Sequence, residues 1–319
     1  MLDGLREKYV NLLTDFGFKR VFGTEANKAT LIAFLNSLLP EAHQIADLSF
    51  KNPEHLGKTE ADRKAIFDLY CQNSQGEYFI VELQKAHQKF FKDRSVYYST
   101  FPIQEQADRG EWDYQLSPVY FVGILNFVFD EDRDNPNYLH TVQLRDQACQ
   151  VFYDKLQFIY LELPKFQKSL EGLESPLEQW AFLFRHLPDL PDRPPSLQSP
   201  VFDQLFETAR IATFSQEERR SYHDSLKVYR DLSNTLQTSE EKGWAAGRAK
   251  GLEEGREAGR AEGRAEGLEE GREAGRAEGL EEGRTEAMMA VAQRMKAMGM
   301  AQEEVARCTG LSIEAIEAL

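Results

Sequence analysis

Two runs rich in aromatic and β-branched residues, Ala65 to Cys71 and Tyr78 to Leu83, flank the polar stretch Gln72-Asn73-Ser74-Gln75-Gly76. The pattern predicts two strands folded back on each other through a turn. A three-residue loop, Ser74 to Gly76, with Gly76 in the left-handed conformation would pair Asn73 with Glu77 and set Asp68 opposite Glu82. Side chains directly opposed on one face of such a pair lie about 5 Å apart. Because side chains alternate along a strand, Gln84 joins Glu82 on that face while Val81 and Leu83 point the other way.

Upstream, Thr14-Asp15 opens a segment with helical spacing and Phe16, Val21 and Phe22 as core candidates. Thr24 to Asn27 then caps a longer helix in which Leu31, Phe34, Leu35 and Leu38 form one apolar stripe. Asp47 to Lys51 reads as a short first strand and Asn52 to Arg63 as a polar loop. Phe90 to Arg109 has helical spacing through Val96, Tyr97, Phe101 and Ile103, with a kink or break at Pro102. Ser117-Pro118 starts the apolar run Val119 to Phe127, suited to the buried middle of a sheet, and His140 to Phe152 and Phe158 to Leu163 are expected as edge strands. A helix between strands implies a crossover, so the fold expected is α/β with a mixed sheet.

From Ser175 the pattern turns helical, with a Pro-rich break between Leu187 and Pro200 and a capping box at Ser215 to Glu218 before a helix reaching about Thr238. Glycine then recurs at every fourth residue from Gly243 to Gly283, eleven times, among Arg, Ala and Glu. Each helical glycine costs about 1 kcal/mol relative to alanine, which leaves two readings: a self-associating helix that uses the smooth glycine face, or a charged linker. The period of four is not a heptad. Met288 to Leu319 reads as short helices, with Ala306, Gly310, Ile316 and Leu319 spaced as in a helix-turn-helix. Glu314 and Glu317 on its second helix suit a docking or regulatory module better than a reader of DNA.

With 319 residues, 41% of them hydrophobic, the chain is long enough for about two domains and a sizeable core. A net charge of −15 argues against broad adhesion to nucleic acid, so any contact with DNA must be local. The best local patch is Lys85, Lys89, Lys92 and Arg94, with Lys19 and Arg20 as a smaller one. Cys71, Cys149 and Cys308 are far apart and form no CxxC, and His140, His186 and His223 lack metal-ligand spacing. No basic, apolar leader opens the sequence, and the run Val119 to Phe129 is interrupted by Asn126 and too short to span a bilayer. A cytoplasmic protein with no membrane segment is expected.

Two facing carboxylates, Asp68 and Glu82, with the Gln84 amide beside them suit a hard divalent cation that takes oxygen ligands. The cation would offset their mutual repulsion, and it could activate water and stabilise charge on a phosphoryl group. The plainer alternative is two solvated acids on the polar face of an ordinary hairpin.

The order Asp68, hairpin, Glu82-x-Gln84, followed by a helix with Arg94 and Tyr98, resembles the PD-(D/E)XK nuclease superfamily. Within it, Thr14 to Pro40, Ile80 to Gln84, Arg94 to Tyr98 and Gln106 to Leu125 resemble the Rpn family of recombination-promoting nucleases, which also go by the name of transposases. The likeness implies a restriction-endonuclease-like core at residues 1–165, with a mixed sheet flanked by helices. A helical region at 166–240, the Gly-rich repeat at 241–286 and a small module at 287–319 would follow. It implies that Asp68, Glu82 and the Leu83 backbone carbonyl hold Mg²⁺ or another divalent ion, and that Gln84 positions water where the superfamily usually has Lys. Glutamine offers only neutral hydrogen bonds in place of that cation. Accessory roles are implied for Asp15, or Glu25, on the first helix and for Gln106. The function expected is a metal-dependent DNA endonuclease in recombination, mobile-element or phage-defence biology, self-assembling through its C-terminal repeat. The alternatives are a nuclease-like scaffold without activity, or a transposase that joins strands.

Overall fold

The computed structural model describes residues 7–55, 65–107 and 113–319 of the chain. The polar loop expected at Asn52 to Arg63 lies largely outside the described residues. The described part divides into two compact units, one ending at Gln237 and one running from Thr238 to Leu319.

In the first unit Thr14 caps α1 (Asp15–Phe22) by accepting a hydrogen bond from the Gly17 amide at 3.0 Å. A β-carbon at Gly17 would stand 2.3 Å from the Asn11 carbonyl oxygen, so only glycine lets the chain close this tightly onto the helix. The expected stripe of α2 (Lys28–Leu38) is buried: Leu31, Phe34, Leu35 and Leu38 all face the core. The strands are β1 (Leu48–Phe50), β2 (Glu54–His55), β3 (Ala65–Ile66), β4 (Leu69–Asn73), β5 (Tyr78–Gln84), β6 (Val119–Leu125), β7 (Leu139–Arg145) and β8 (Val151–Glu162). β2 and β3 pair with each other, and the rest form one mixed sheet in the order β1-β4-β5-β6-β8-β7. Strands β5, β6 and β8 are mutually parallel, and the β1–β4, β4–β5 and β7–β8 pairs are antiparallel. Contrary to the expected edge position, β8 lies between β6 and β7, and β7 alone forms that edge.

The hairpin between β4 and β5 follows the expected register, with Leu69 opposite Val81 and Tyr70 opposite Ile80. Asn73 donates to the Glu77 carbonyl at 3.0 Å, and Gly76 sits at φ +85°. Both faces of the sheet are covered, so β5 and β6 are buried along their whole length. Phe79, Val81 and Leu83 face one apolar layer, together with α1 and α2. Tyr78 and Ile80 face the other, which α3 (Phe91–Ala107) covers. By alternation Glu82 and Gln84 fall on the α3 side.

Helix α3 differs from expectation in two ways. Val96 and Tyr97 are exposed, and the buried positions are Phe91, Ser95, Ser99 and Pro102, so the helix continues through the proline. Its small residues lie against the sheet where β6 carries Gly123: the Tyr160 ring fills that gap and its hydroxyl lies 2.6 Å from Ser95 Oγ. Tyr98, Phe101 and Ile103 pack, partly buried, against the same aromatic layer.

The helices after residue 166 share the core of the sheet domain. In α4 (Pro176–His186), Trp180 and Phe184 pack on Phe22 and Phe34, and the chain before α1 bonds to the end of α5 (Pro200–Ala209), with Val10 N donating to Ala209 O at 2.9 Å. The capping box forms in both directions, Ser215 N to Glu218 Oε2 at 2.8 Å and Glu218 N to Ser215 Oγ at 3.1 Å. The helix it opens, α6, spans Gln216–Ala297 and includes the glycine repeat instead of stopping near Thr238. In the second unit, α7 (Gln302–Thr309) and α8 (Ile313–Glu317) close a small cluster of Ala292, Val305 and Ile316, with a left-handed turn at Gly310. No helix among the described residues is long and apolar enough to cross a membrane.

Candidate active site

The parallel strands β5, β6 and β8 end at one rim of the sheet, where the register aligns Gln84, Leu125 and Glu162. Ligand sites of α/β sheets open at such carboxyl ends. Asp68 lies just before β4, one residue beyond the last ladder pair. Its side chain therefore takes the place of the missing strand: Leu83 N donates to Asp68 Oδ2 at 2.7 Å, and Asp68 N donates to Glu82 Oε1 at 3.2 Å. Gln84 Nε2 donates to Glu82 Oε2 at 3.0 Å. Since an extended residue directs its N–H and C=O to the same side, the Leu83 carbonyl also faces Asp68.

Glu82 is 4% exposed, and burial first, then the charge of Asp68, pushes its carboxyl up to about 8. Burial likewise raises the Asp68 carboxyl. Among the described residues Arg94 on α3 is the nearest cation to Glu82, with Nη2 3.8 Å from Glu82 Oε2. Its Nε and Nη2 are buried and have no hydrogen-bond partner among the described residues, although Nη1 reaches Gln88. One buried and one half-buried acid this close together keep raised carboxyls although, among the described residues, Arg94 acts on Glu82 and Lys19 and Lys85 act on Asp68. The donor set of two carboxylates, an amide and a backbone carbonyl fits a hard divalent cation.

A cleft of about 330 Å³ opens beside the pair, lined by Asp15, Asp68, Gln84, Lys85, Gln88 and Arg94 among others. Asp15 thus faces the same cleft, but its carboxylate is held by Lys19 at 3.1 Å. Glu25 is exposed and sits 3.9 Å from Lys28. Lys85 is half-buried, and burial lowers its ammonium. Lys89 is exposed beside the Phe90 ring, and Lys92 is bound to Glu131 at 2.5 Å. Gln106 belongs elsewhere: Ser117 N donates to its Oε1 at 2.6 Å and it donates to Pro102 O at 3.1 Å, clasping the end of α3 to the start of β6. That is the end of the sheet opposite the rim carrying Gln84, so the structure does not bring Gln106 to the acids.

Two placements were not legible in the sequence: that of Tyr98, named there only as part of the family likeness, and that of His140. Tyr98 on α3 stacks edge-on to Phe67 and feels the charges of Glu82 and Asp68, and burial raises its hydroxyl. His140 is not isolated: Nε2 lies 3.1 Å from Glu162 Oε2, and with Asp132 the three ligand atoms fall within 4.8 Å of one another. Glu162 is fully buried, and Lys165 Nζ at 2.5 Å already supplies a positive charge there. The signal for Tyr98 was its spacing of four from Arg94; the second group is assembled from separate segments and left no local trace.

A mixed sheet that carries D…E-x-Q at its parallel rim, under a helix that supplies Arg94, defines a nuclease fold of the PD-(D/E)XK class. A family model described as PD-(D/E)XK nuclease family transposase matches residues 12–239, and the chain belongs to that family. Neither the curated proteins nor the solved structures yield a match.

Proposed function

We propose that the protein is a DNA endonuclease that hydrolyses phosphodiester bonds with Mg²⁺ or another divalent cation. The observation that carries this reading is the pair of half-buried Asp68 and buried Glu82, cross-linked through Leu83 N and Asp68 N, with Asp68 lining a cleft. Asp68, Glu82 and the Leu83 carbonyl would hold the ion, which when bound supplies a Lewis acid and an acidified water. Gln84 Nε2 is occupied by Glu82, which leaves Gln84 Oε1 to accept a hydrogen bond from the attacking water and orient it. Arg94 and Lys85 face the cleft as the cations for the scissile phosphate, offsetting the missing motif lysine. Lys89 and Lys92 would meet the flanking backbone. A supercoiled plasmid incubated with Mg²⁺ and the full chain should be nicked, and Asp68→Ala or Glu82→Ala should abolish nicking without lowering the melting temperature appreciably. Cutting that persists in either variant removes the assignment.

A second reading is favoured by Gln84 itself: without lysine, the fold would serve as a DNA-binding or self-assembling scaffold, and wild-type protein would not nick at any Mg²⁺ concentration. The transposase description adds strand joining, which donor ends in the same assay would reveal. Self-association through α6 rests on the glycine line, where an added β-carbon would meet nothing within 4 Å from Gly243 to Gly283. Four residues turn a helix by about 400°, so the line drifts by about 40° per repeat and circles the helix in roughly 54 Å. Two copies following it wind right-handed, the sense of close small-xxx-small contacts. Sedimentation of the full chain before and after Gly263→Leu tests this, with loss of the larger species expected. Three free thiols, Cys71, Cys149 and Cys308, suit the cytoplasm in which we place the protein.

A further inference from the structure

Phe90 and Phe91 are consecutive yet meet opposite surroundings. Phe91 is 2% exposed, packed among Phe121, Phe127, Phe129 and Tyr160, whereas Phe90 is 67% exposed. Phe90 also sits at φ +69°, a conformation that bulky side chains avoid and glycine adopts freely. For folding alone, a glycine would serve better at this junction, so an exposed ring held in a strained backbone points to a role in binding. Phe90 follows the cleft-lining Gln88 by two residues, and its main-chain carbonyl accepts from the amide of Arg94, which also lines the cleft, at 3.0 Å. Lys89 Nζ lies 5.1 Å from the ring centroid.

A chain of net charge −15 repels a duplex with its dense phosphates, and the few cations of this rim offer few phosphate contacts. Binding must draw on a short-range contact instead, and a nucleobase stacked on an aromatic ring beside a cation supplies one. A single projecting ring is too small for a protein interface.

We propose that Phe90 is a base-stacking platform, and that the cleft takes a DNA strand whose base beside the scissile phosphate is unstacked, as in a single strand or frayed end. The proposal rests on the reading of the cleft as a nuclease site. It is tested with the full chain in EDTA, so that nothing is cut, by fluorescence anisotropy of a labelled thymidine dodecamer, alone and paired with its complement. Wild-type protein binds the single strand more tightly than the duplex. Phe90→Gly, which suits the positive φ and should melt no lower than wild type, binds the single strand about ten-fold more weakly and the duplex almost unchanged. Phe90→Trp restores the affinity and Phe90→Leu does not. Equal single-strand binding by Phe90→Gly and wild type overturns the platform and leaves the nuclease reading standing; so does a preference for the duplex. A chain that binds neither form in EDTA overturns the platform, and one that also fails to nick a plasmid with Mg²⁺ overturns the nuclease reading as well.

Discussion

Replacing Glu82 with glutamine should yield a protein that is more stable without metal and unable to cut DNA. Burial and the neighbouring Asp68 raise the Glu82 carboxyl from its usual 4.5 to about 8, so at pH 7 the folded protein keeps a proton that the unfolded chain gives up. Holding that proton costs about 1.4 kcal/mol per pH unit, or about 3 kcal/mol between 4.5 and 7. Glutamine carries no such cost. Its amide does meet the Gln84 amide, which now donates to Glu82 Oε2 at 3.0 Å, so one of the two must turn and a hydrogen bond of about 1 kcal/mol is lost. The net gain is about 2 kcal/mol, or roughly 4–8 °C in melting temperature for a unit of this size. Thermal denaturation in EDTA at pH 7 measures it. Adding Mg²⁺ should raise the melting temperature of wild type and not that of the variant. A Glu82→Gln protein that melts at or below the wild type in EDTA, and still gains from Mg²⁺, would refute the reasoning.

Two further outcomes follow from the same geometry. Because the folded carboxyl is raised, metal-free stability should fall as pH rises from 4.5 towards 8, while Mg²⁺ affinity measured by calorimetry rises by about ten-fold per pH unit below 8, as the ion displaces the proton; a flat affinity would mean that Glu82 is no ligand. Gly17→Ala should lower stability by about 1–3 kcal/mol, read from denaturant unfolding, because the new methyl group collides with the Asn11 carbonyl.

The acids were legible because a hairpin is a local object. Gly76 fixes the turn, the turn fixes the register, and the register sets Asp68 against Glu82. The stripe of α2 and the Ser215–Glu218 capping box were legible for the same reason, each lying within a turn or two of chain. What the sequence hid depends on distant partners. Helix α3 turns Ser95 onto the Tyr160 hydroxyl of a distant strand and leaves Val96 and Tyr97 exposed, a choice that no local pattern shows. The interior place of β8 depends on parallel pairing with β6, which no local pattern encodes. Gln106 has the polarity of a site residue but spends it on Ser117 and Pro102. The glycines of α6 argue against helix by propensity, yet the helix spans them.

The central claim is that Asp68 and Glu82 share one divalent cation. Titrating Mn²⁺ into the full chain and following the free ion by electron paramagnetic resonance tests it most directly. One ion should bind to wild type, be lost in Asp68→Ala and in Glu82→Ala, and be kept in His140→Ala, whose ring belongs to the separate group around Glu162. Undiminished Mn²⁺ binding in the Glu82→Ala protein, or loss confined to His140→Ala, would contradict it.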